Sequence, residues 1–319
     1  MLNLHDDLIA QLKDHREPVH PEDTMAEAGR KVLLVEFIHM LENEAGSRLG
    51  EDIEYVHDMR VATRRMRTTL RLLEPYYKPK AVRAYRRSLR KIARALGAVR
   101  DLDVLIDDMT KFKATLDPAQ QEDLQAIITM LDGERTAARH DLNRLFDKSE
   151  YQRFIDDFAR FLLKTGTGAR PLDGDVHPYQ VRHVLPVLLY SHLAAVRAYD
   201  DVLSEADDTV LHALRIEFKQ LRYAASLFED VLGNSVKDYI KSIKAAQDHL
   251  GRMQDITMTE TKLTSLAPLL SAGQLETLGL YLDHIRAERD TLRQQVTEMW
   301  RQFNRRTVQR HLASAVVAL

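Results

Sequence analysis

The chain has 319 residues, 45% of them hydrophobic and 29% charged, which is enough apolar material for two modest folding units and excludes fibrous and wholly disordered readings. Its 46 Lys and Arg against 48 Asp and Glu give a net charge of −2, an average that at first sight argues against a polyanion ligand. With no cysteine, disulfide frameworks, thiolate metal clusters and Cys nucleophiles are excluded, and a reducing compartment is expected.

The first residues, Met1-Leu2-Asn3-Leu4-His5-Asp6-Asp7, lack the basic start and apolar core of a secretion signal, and no apolar run of 18 residues follows. A soluble, cytoplasmic chain without membrane insertion is therefore expected. Thr24 and Glu27 have capping-box spacing for a helix to about Gly50, with Val32, Val35, Phe37, Ile38 and Leu41 as apolar positions. A second helix is predicted from Ile53 to Tyr77, ending before Pro79. A third covers Ala81 to Ala98 and a fourth Asp101 to Leu116. Asp117-Pro118 then supplies an N-cap and a first-turn proline for a long helix toward Phe146. The segment Thr165 to Asp175 breaks the pattern and marks a boundary between an N-terminal half, 22–165, and a C-terminal half, 176–312. Later helices are predicted from Pro178 to Leu203, Asp207 to Leu232, Ser235 to Leu250, Asp255 to Leu266 and Gly273 to Leu312. No segment alternates like a half-buried strand, so the expected fold class is all-α, two antiparallel helical bundles.

Charge is unevenly placed along these helices. From His57 to Arg100 there are fourteen Lys and Arg against Asp58 and Glu74, a net +12 in 44 residues that leaves −14 for the rest. At about 100° per residue, Arg60, Arg64, Arg67 and Arg71 share one face with His57 at its edge. Arg83, Arg87, Arg90 and Arg94 form an equally narrow stripe on the next helix, flanked by Arg86 and Lys91. Guanidinium forks match phosphate oxygens, so such stripes suit a polyanion. The alternative is a solvated face whose arginines pair with carboxylates of other helices, and for a single pair such as Arg86 with Glu42 that alternative is favoured.

The pattern repeats. His57-x-x-Arg60-x-x-x-Arg64-x-x-Arg67 returns as His212-x-x-Arg215-x-x-x-Lys219-x-x-Arg222, an offset of 155 residues. Leu96-Gly97-Ala98-Val99-Arg100-Asp101 returns as Leu250-Gly251-Arg252-Met253-Gln254-Asp255, an offset of 154. Lys237, Lys241 and Lys244 repeat the spacing of Arg83, Arg87 and Arg90, whereas Asp248 takes the place of Arg94. Packing of the halves about a pseudo-twofold axis would bring four basic stripes onto one surface. His57 and His212 leave two readings open, phosphate binding or arginine ordering on one hand, a structural cap or interhelical bond on the other. Cationic surroundings should suppress their protonation until an anion binds. Metal binding by the pair is disfavoured, since an arginine-rich face repels a cation and no ligand set is complete. Helix N-termini near both histidines would offer further backbone donors.

Together, the paired His-x-x-Arg-x-x-x-Arg/Lys-x-x-Arg helices and the Leu-Gly-x-x-Arg/Gln-Asp segments resemble the CHAD family, the conserved histidine alpha-helical domain, over about Glu22 to Arg310. The resemblance implies two helical bundles with internal twofold symmetry forming one integrated domain. It also implies binding of inorganic polyphosphate in a basic groove or central cavity, and association with polyphosphate granules. Carried onto this chain, the binding positions are His57, Arg60, Arg64, Arg67 and Arg71, then Arg83, Arg87, Arg90 and Arg94. In the second half they are His212, Arg215, Lys219, Arg222, Lys237, Lys241 and Lys244. Some relatives carry a fused triphosphate-tunnel domain, but this chain lacks its alternating acidic strand motif, so that activity is not carried over and no cofactor is expected.

The alternative partner is nucleic acid bound without sequence specificity, against which stands the lack of aromatic interleaving for stacked bases. An enzyme ranks lower. Asp101, Asp103, Asp107 and Asp108 would suit Mg²⁺, but a helix-start cap at Asp101 and charge pairing explain them more simply. No Walker motif, nucleophile elbow or His-Glu metalloprotease motif is present. A scaffold without a polyanion ligand is the third reading.

Overall fold

The computed structural model describes residues 4–171 and 178–319. Among the described residues there are fourteen α-helices and no strand, so the fold is all-α. Two compact units are formed, Met1–Ile106 with Met130–Val184, and Asp107–Thr129 with Leu185–Leu319. Of the boundary segment expected at Thr165 to Asp175, positions 172–175 lie outside the described residues, as do the first three residues and the expected start of the second half at 176.

Unit 1 is built from α1 (Asp6–Asp14), α2 (Met25–Glu42), α3 (Glu44–Leu49), α4 (Ile53–Leu72), most of α5 (Pro79–Lys113), the later part of α6 (Pro118–Phe146), α7 (Ser149–Leu163) and the start of α8 (Val181–Arg197). The Thr24 hydroxyl caps the Glu27 amide at 3.1 Å, but the capping box is only half made. The Glu27 carboxylate accepts instead from Arg30 Nε at 2.9 Å. α2 is buried on nearly all sides, with Leu33 and Leu34 inside as well as Phe37, Ile38 and Leu41. It ends at Glu42, and α3 completes the span to Gly50, whose φ of 69° makes a left-handed C-cap. No helix was expected at α7, yet its Phe154, Phe158 and Phe161 carry the core of the unit. Phe158 packs edge-on to Phe37 at 5.1 Å and against Tyr85 at 4.9 Å.

Unit 2 holds α9 (Asp208–Ser226), α10 (Glu229–Leu232), α11 (Ser235–Thr264), α12 (Ala272–Gln294), α13 (Val296–Phe303) and α14 (Arg306–Val317), with the remainders of α5, α6 and α8. Its aromatic core sets Phe218 edge-on to Phe303 at 4.8 Å and to Trp300 at 6.3 Å.

Two expected boundaries fail. The helices predicted over 81–98 and 101–116 are one continuous α5, and those over 235–250 and 255–266 are one α11. Each long helix has a single glycine, Gly97 or Gly251, and one glycine costs only about 1 kcal/mol in a helix interior. In α5 the buried stripe of Leu89, Ile92, Leu96, Val99 and Asp103 runs straight past it. Conversely, the single helix predicted over 273–312 is divided into α12, α13 and α14 without a glycine or proline at either break.

Candidate functional site

Both His-bearing helices start at an aspartate. Asp52 accepts from the Glu54 amide at 2.9 Å and Asp207 from the Val210 amide at 2.8 Å. One backbone donor at each helix start is thus already engaged by a carboxylate, which reduces what those termini could offer an anion.

In unit 1, α4 and α5 run antiparallel. Glu54 meets Arg100 at 3.6 Å, Arg60 meets Asp101 at 3.7 Å and Glu74 meets Arg86 at 2.6 Å. Arg60 Nε lies 4.0 Å from the position a Cβ on Gly97 would occupy. In that register Arg64, Arg67 and Arg71 stand near the levels of Arg94, Arg90 and Arg87. His57, Arg60 and Arg64 are half-buried, whereas Arg67, Arg71, Arg83, Arg87, Arg90 and Arg94 are exposed.

Unit 2 uses the same register between α9 and α11. His212 Nδ1 and Gln254 Oε1 share a 2.7 Å hydrogen bond, and Arg215 Nε lies 3.7 Å from a Cβ position on Gly251. Arg222 is then level with Lys244, and Lys219 is close to the level of Asp248. His212 is exposed, Arg215, Lys219 and Arg222 are half-buried, and Lys237, Lys241 and Lys244 are exposed. The interhelical bond, one of the readings open to this histidine, is made through Nδ1 alone.

Ion pairing separates the basic residues into two groups. Arg65 pairs with Glu36 at 2.9 Å, Lys91 with Glu150 at 3.1 Å, and Arg86 with Glu74 rather than Glu42, which pairs with Lys13 at 2.6 Å. Among the described residues Arg71, Arg83, Arg87, Arg90 and Arg94 make no ion pair, nor do Lys237, Lys241 and Lys244. The α5 stripe from Arg83 to Arg94 therefore presents about 17 Å of helix with four guanidiniums on one exposed side. Their mutual repulsion is not offset by any carboxylate within ion-pair distance among the described residues.

The His57 imidazole is held below its ordinary pKa of 6.5, first by burial and then by the Arg100 guanidinium. Neutral imidazole is the favoured form in the absence of an anion. The four aspartates do not gather. Asp101 sits inside α5, where it caps nothing, and pairs with Arg60. The buried Asp103 accepts from Arg135 Nη1 at 3.3 Å, Asp107 pairs with Lys111 at 2.7 Å, and Asp108 accepts from Arg252 at 3.0 Å and Tyr281 at 3.1 Å. Among the described residues no group of three or more His, Asp or Glu side chains could hold a metal ion. Nor is any helix there long and apolar enough to cross a membrane. Arg144 and Lys148, which no sequence pattern singled out, share a groove with Arg94; they lie in a stretch of mixed charge where periodicity carries no signal.

The family model described as the CHAD domain matches residues 32–264. No curated protein matches the chain. The crystal structure of the CHAD domain from the plant Ricinus communis is similar at 23% identity, covering 95% of this chain and 95% of that chain with a TM-score of 0.63. PptA from Streptomyces chartreusis is similar at 15% identity, covering 87% of this chain and 99% of that chain with a TM-score of 0.61. At these identities the likeness to both structures is one of fold.

Proposed function

The chain belongs to the CHAD domain family, and from that premise we propose that it binds inorganic polyphosphate along the basic track of α4 and α5, with the lysines of α11 as a weaker contributor. The observation that carries this reading is the exposed, unpaired run Arg83, Arg87, Arg90 and Arg94. Guanidinium forks contact successive phosphoryl oxygens, ammonium groups add less directional charge, and counterion release supplies part of the free energy. His57 and Arg60 stand at one end of the track, where a phosphate would draw a proton onto the imidazole.

Residues 22–165 and 176–312 are taken as two halves of one domain, the second less basic because Asp248 stands at the position of Arg94. The role is capture without turnover. Support for that comes from the four aspartates, each engaged by a basic side chain rather than open to a metal ion. Family membership supports a cytoplasmic location at polyphosphate granules.

Titration of polyphosphate against the wild-type protein and an Arg60→Glu/Arg64→Glu/Arg87→Glu variant, at several salt concentrations, tests the reading. Affinity is expected to fall more than about tenfold and the salt dependence to flatten as contacts are lost. Unchanged affinity in a folded variant would overturn it. So would preference for unstructured RNA over polyphosphate at equal phosphate concentration.

A further inference from the structure

Seen along its axis, α5 has a second flank. α4 lies on the side of Gly97 and Arg100, and on the side of Lys91 and Ala98, beyond the arginine stripe, opens a groove of about 710 Å³. One wall carries Lys91 and Arg94, the other Arg144 and Lys148, and Ala95 and Ala98 leave the floor between them open. The Asp103–Arg135 contact at 3.3 Å, together with the shared groove lining of Arg94 and Arg144 further along, makes α5 and α6 antiparallel. In that register Arg94 is level with Arg144, and Lys148, just past the end of α6, lines the same groove as Lys91.

Two carboxylates also line the groove. Asp141 is held by Arg144 on its own helix, and Glu150 by Lys91 at 3.1 Å. Arg94 makes no ion pair among the described residues, and Lys148 acts on Glu150 only at longer range. The lining thus keeps a surplus of two positive charges. An independent feature points the same way. The 15-residue α7 begins at this groove with Lys148 as its N-cap residue, and no side chain caps its first amides. The Ser149 and Glu150 N–H groups, with the positive end of the helix behind them, suit a phosphate oxygen.

We propose that this groove is a second phosphate subsite, in which a linear polyphosphate continues past Arg94 from the α4–α5 track and runs between α5 and α6. The inference rests on the polyphosphate reading above. Arg94 belongs to both surfaces, so a chain following Arg83, Arg87 and Arg90 reaches the groove without leaving cationic contact. The groove is lined by no aromatic ring or side-chain amide, so it has nothing with which to stack or read a base and recognises bare phosphate by charge alone.

The test compares binding of long-chain polyphosphate by the wild type, an Arg144→Gln/Lys148→Gln groove variant and an Arg87→Gln/Arg90→Gln track variant over a salt series, with circular dichroism confirming the fold. Two lost phosphate contacts should reduce the log–log salt slope of the groove variant by about 1.5, with roughly a tenfold loss of affinity at moderate salt. Hydrogen exchange on the wild type supplies a readout that needs no substitution: long-chain polyphosphate should slow exchange at the Ser149 and Glu150 amides. A groove variant indistinguishable from wild type, beside a track variant that is weakened, overturns the subsite and leaves the parent reading intact. Unprotected Ser149 and Glu150 amides also overturn the subsite. If neither variant loses affinity, or the wild type does not bind, both readings fall together.

Discussion

Arg60 lies across the bare backbone of Gly97, its Nε 4.0 Å from where a Cβ would stand. Arg215 and Gly251 reproduce the relationship at 3.7 Å. Neither distance is a clash, so Gly97→Ala and Gly251→Ala should each stabilise the fold by roughly 0.5–1 kcal/mol through helix propensity. Urea midpoints would show it. A lower midpoint would mean that the arginine needs a closer approach to the opposing helix than 4 Å.

Gly50 should behave in the opposite way. Its φ of 69° disfavours any side chain, and a Cβ there would collide with the Arg139 guanidinium. Gly50→Ala is expected to cost about 1–2 kcal/mol from the backbone alone, read as a lower melting temperature.

Glu44 anchors the entry to α3. Fully buried, it accepts from Tyr151 Oη at 2.5 Å and Arg48 Nε at 2.9 Å and bonds His5 Nε2 at 3.0 Å. Burial alone would raise its pKa, but the hydrogen bonds from His5, Tyr151 and Arg48 together hold it below 4.5. A depressed folded value means that its contribution is complete above about pH 4.5 and is lost as pH falls through the lower, folded value. Glu44→Gln removes the charged acceptor of the Tyr151 and His5 bonds, while Arg48 keeps Asp147 at 2.7 Å; the change should cost about 1.5–3 kcal/mol at neutral pH, with a shallower acid limb in the stability curve.

His57 gives a pH signature of the opposite chemical type. With its folded pKa depressed, the free protein prefers neutral imidazole, so this group's contribution to stability is present above about 6.5 and declines as pH falls from there toward the folded value. A bound anion raises that pKa again. Polyphosphate affinity should therefore increase as pH falls from 7.5 to 6, and His57→Gln should flatten this increase in isothermal titration.

Asp248 interrupts the second track where Arg94 continues the first. It is exposed, so Asp248→Arg should fold normally and raise polyphosphate affinity several-fold, with the salt slope steepened by about 1. The matched losses Arg90→Gln and Lys244→Gln should be unequal, the arginine costing more.

Local signals in the sequence were reliable where the physics is local. Thr24 caps α2, Asp117 accepts from the Gln120 amide at 2.9 Å to start α6, and the stripes of α5 and α11 lie on exposed helix faces, whereas Arg60 and Arg64 of the α4 stripe are half-buried. The failures share a cause in tertiary packing. Gly97 and Gly251 resemble helix ends, but burial continues past them on the same helix face, at Val99 and Asp103 in α5 and at Met253 in α11. Trp300 and Phe303 turn onto Phe218 in α13, a demand from another element that no breaker residue announces. The groove beside Arg94 was equally hidden, since the facing of Arg144 and Lys148 depends on the register between two helices. Burial of Asp103 beside Arg135 records that register, and no periodicity within α6 does.

The basic stripes of α5 and α11 also differ in the permanence of their charge. The α5 stripe is built of guanidinium groups, which lysine acetylation cannot touch. The amines of Lys237, Lys241 and Lys244 are exposed and lose their charge on acetylation. Covalent modification can therefore erase the lysine stripe of α11 while the arginine stripe of α5 remains, which makes the charge of one stripe adjustable and that of the other fixed.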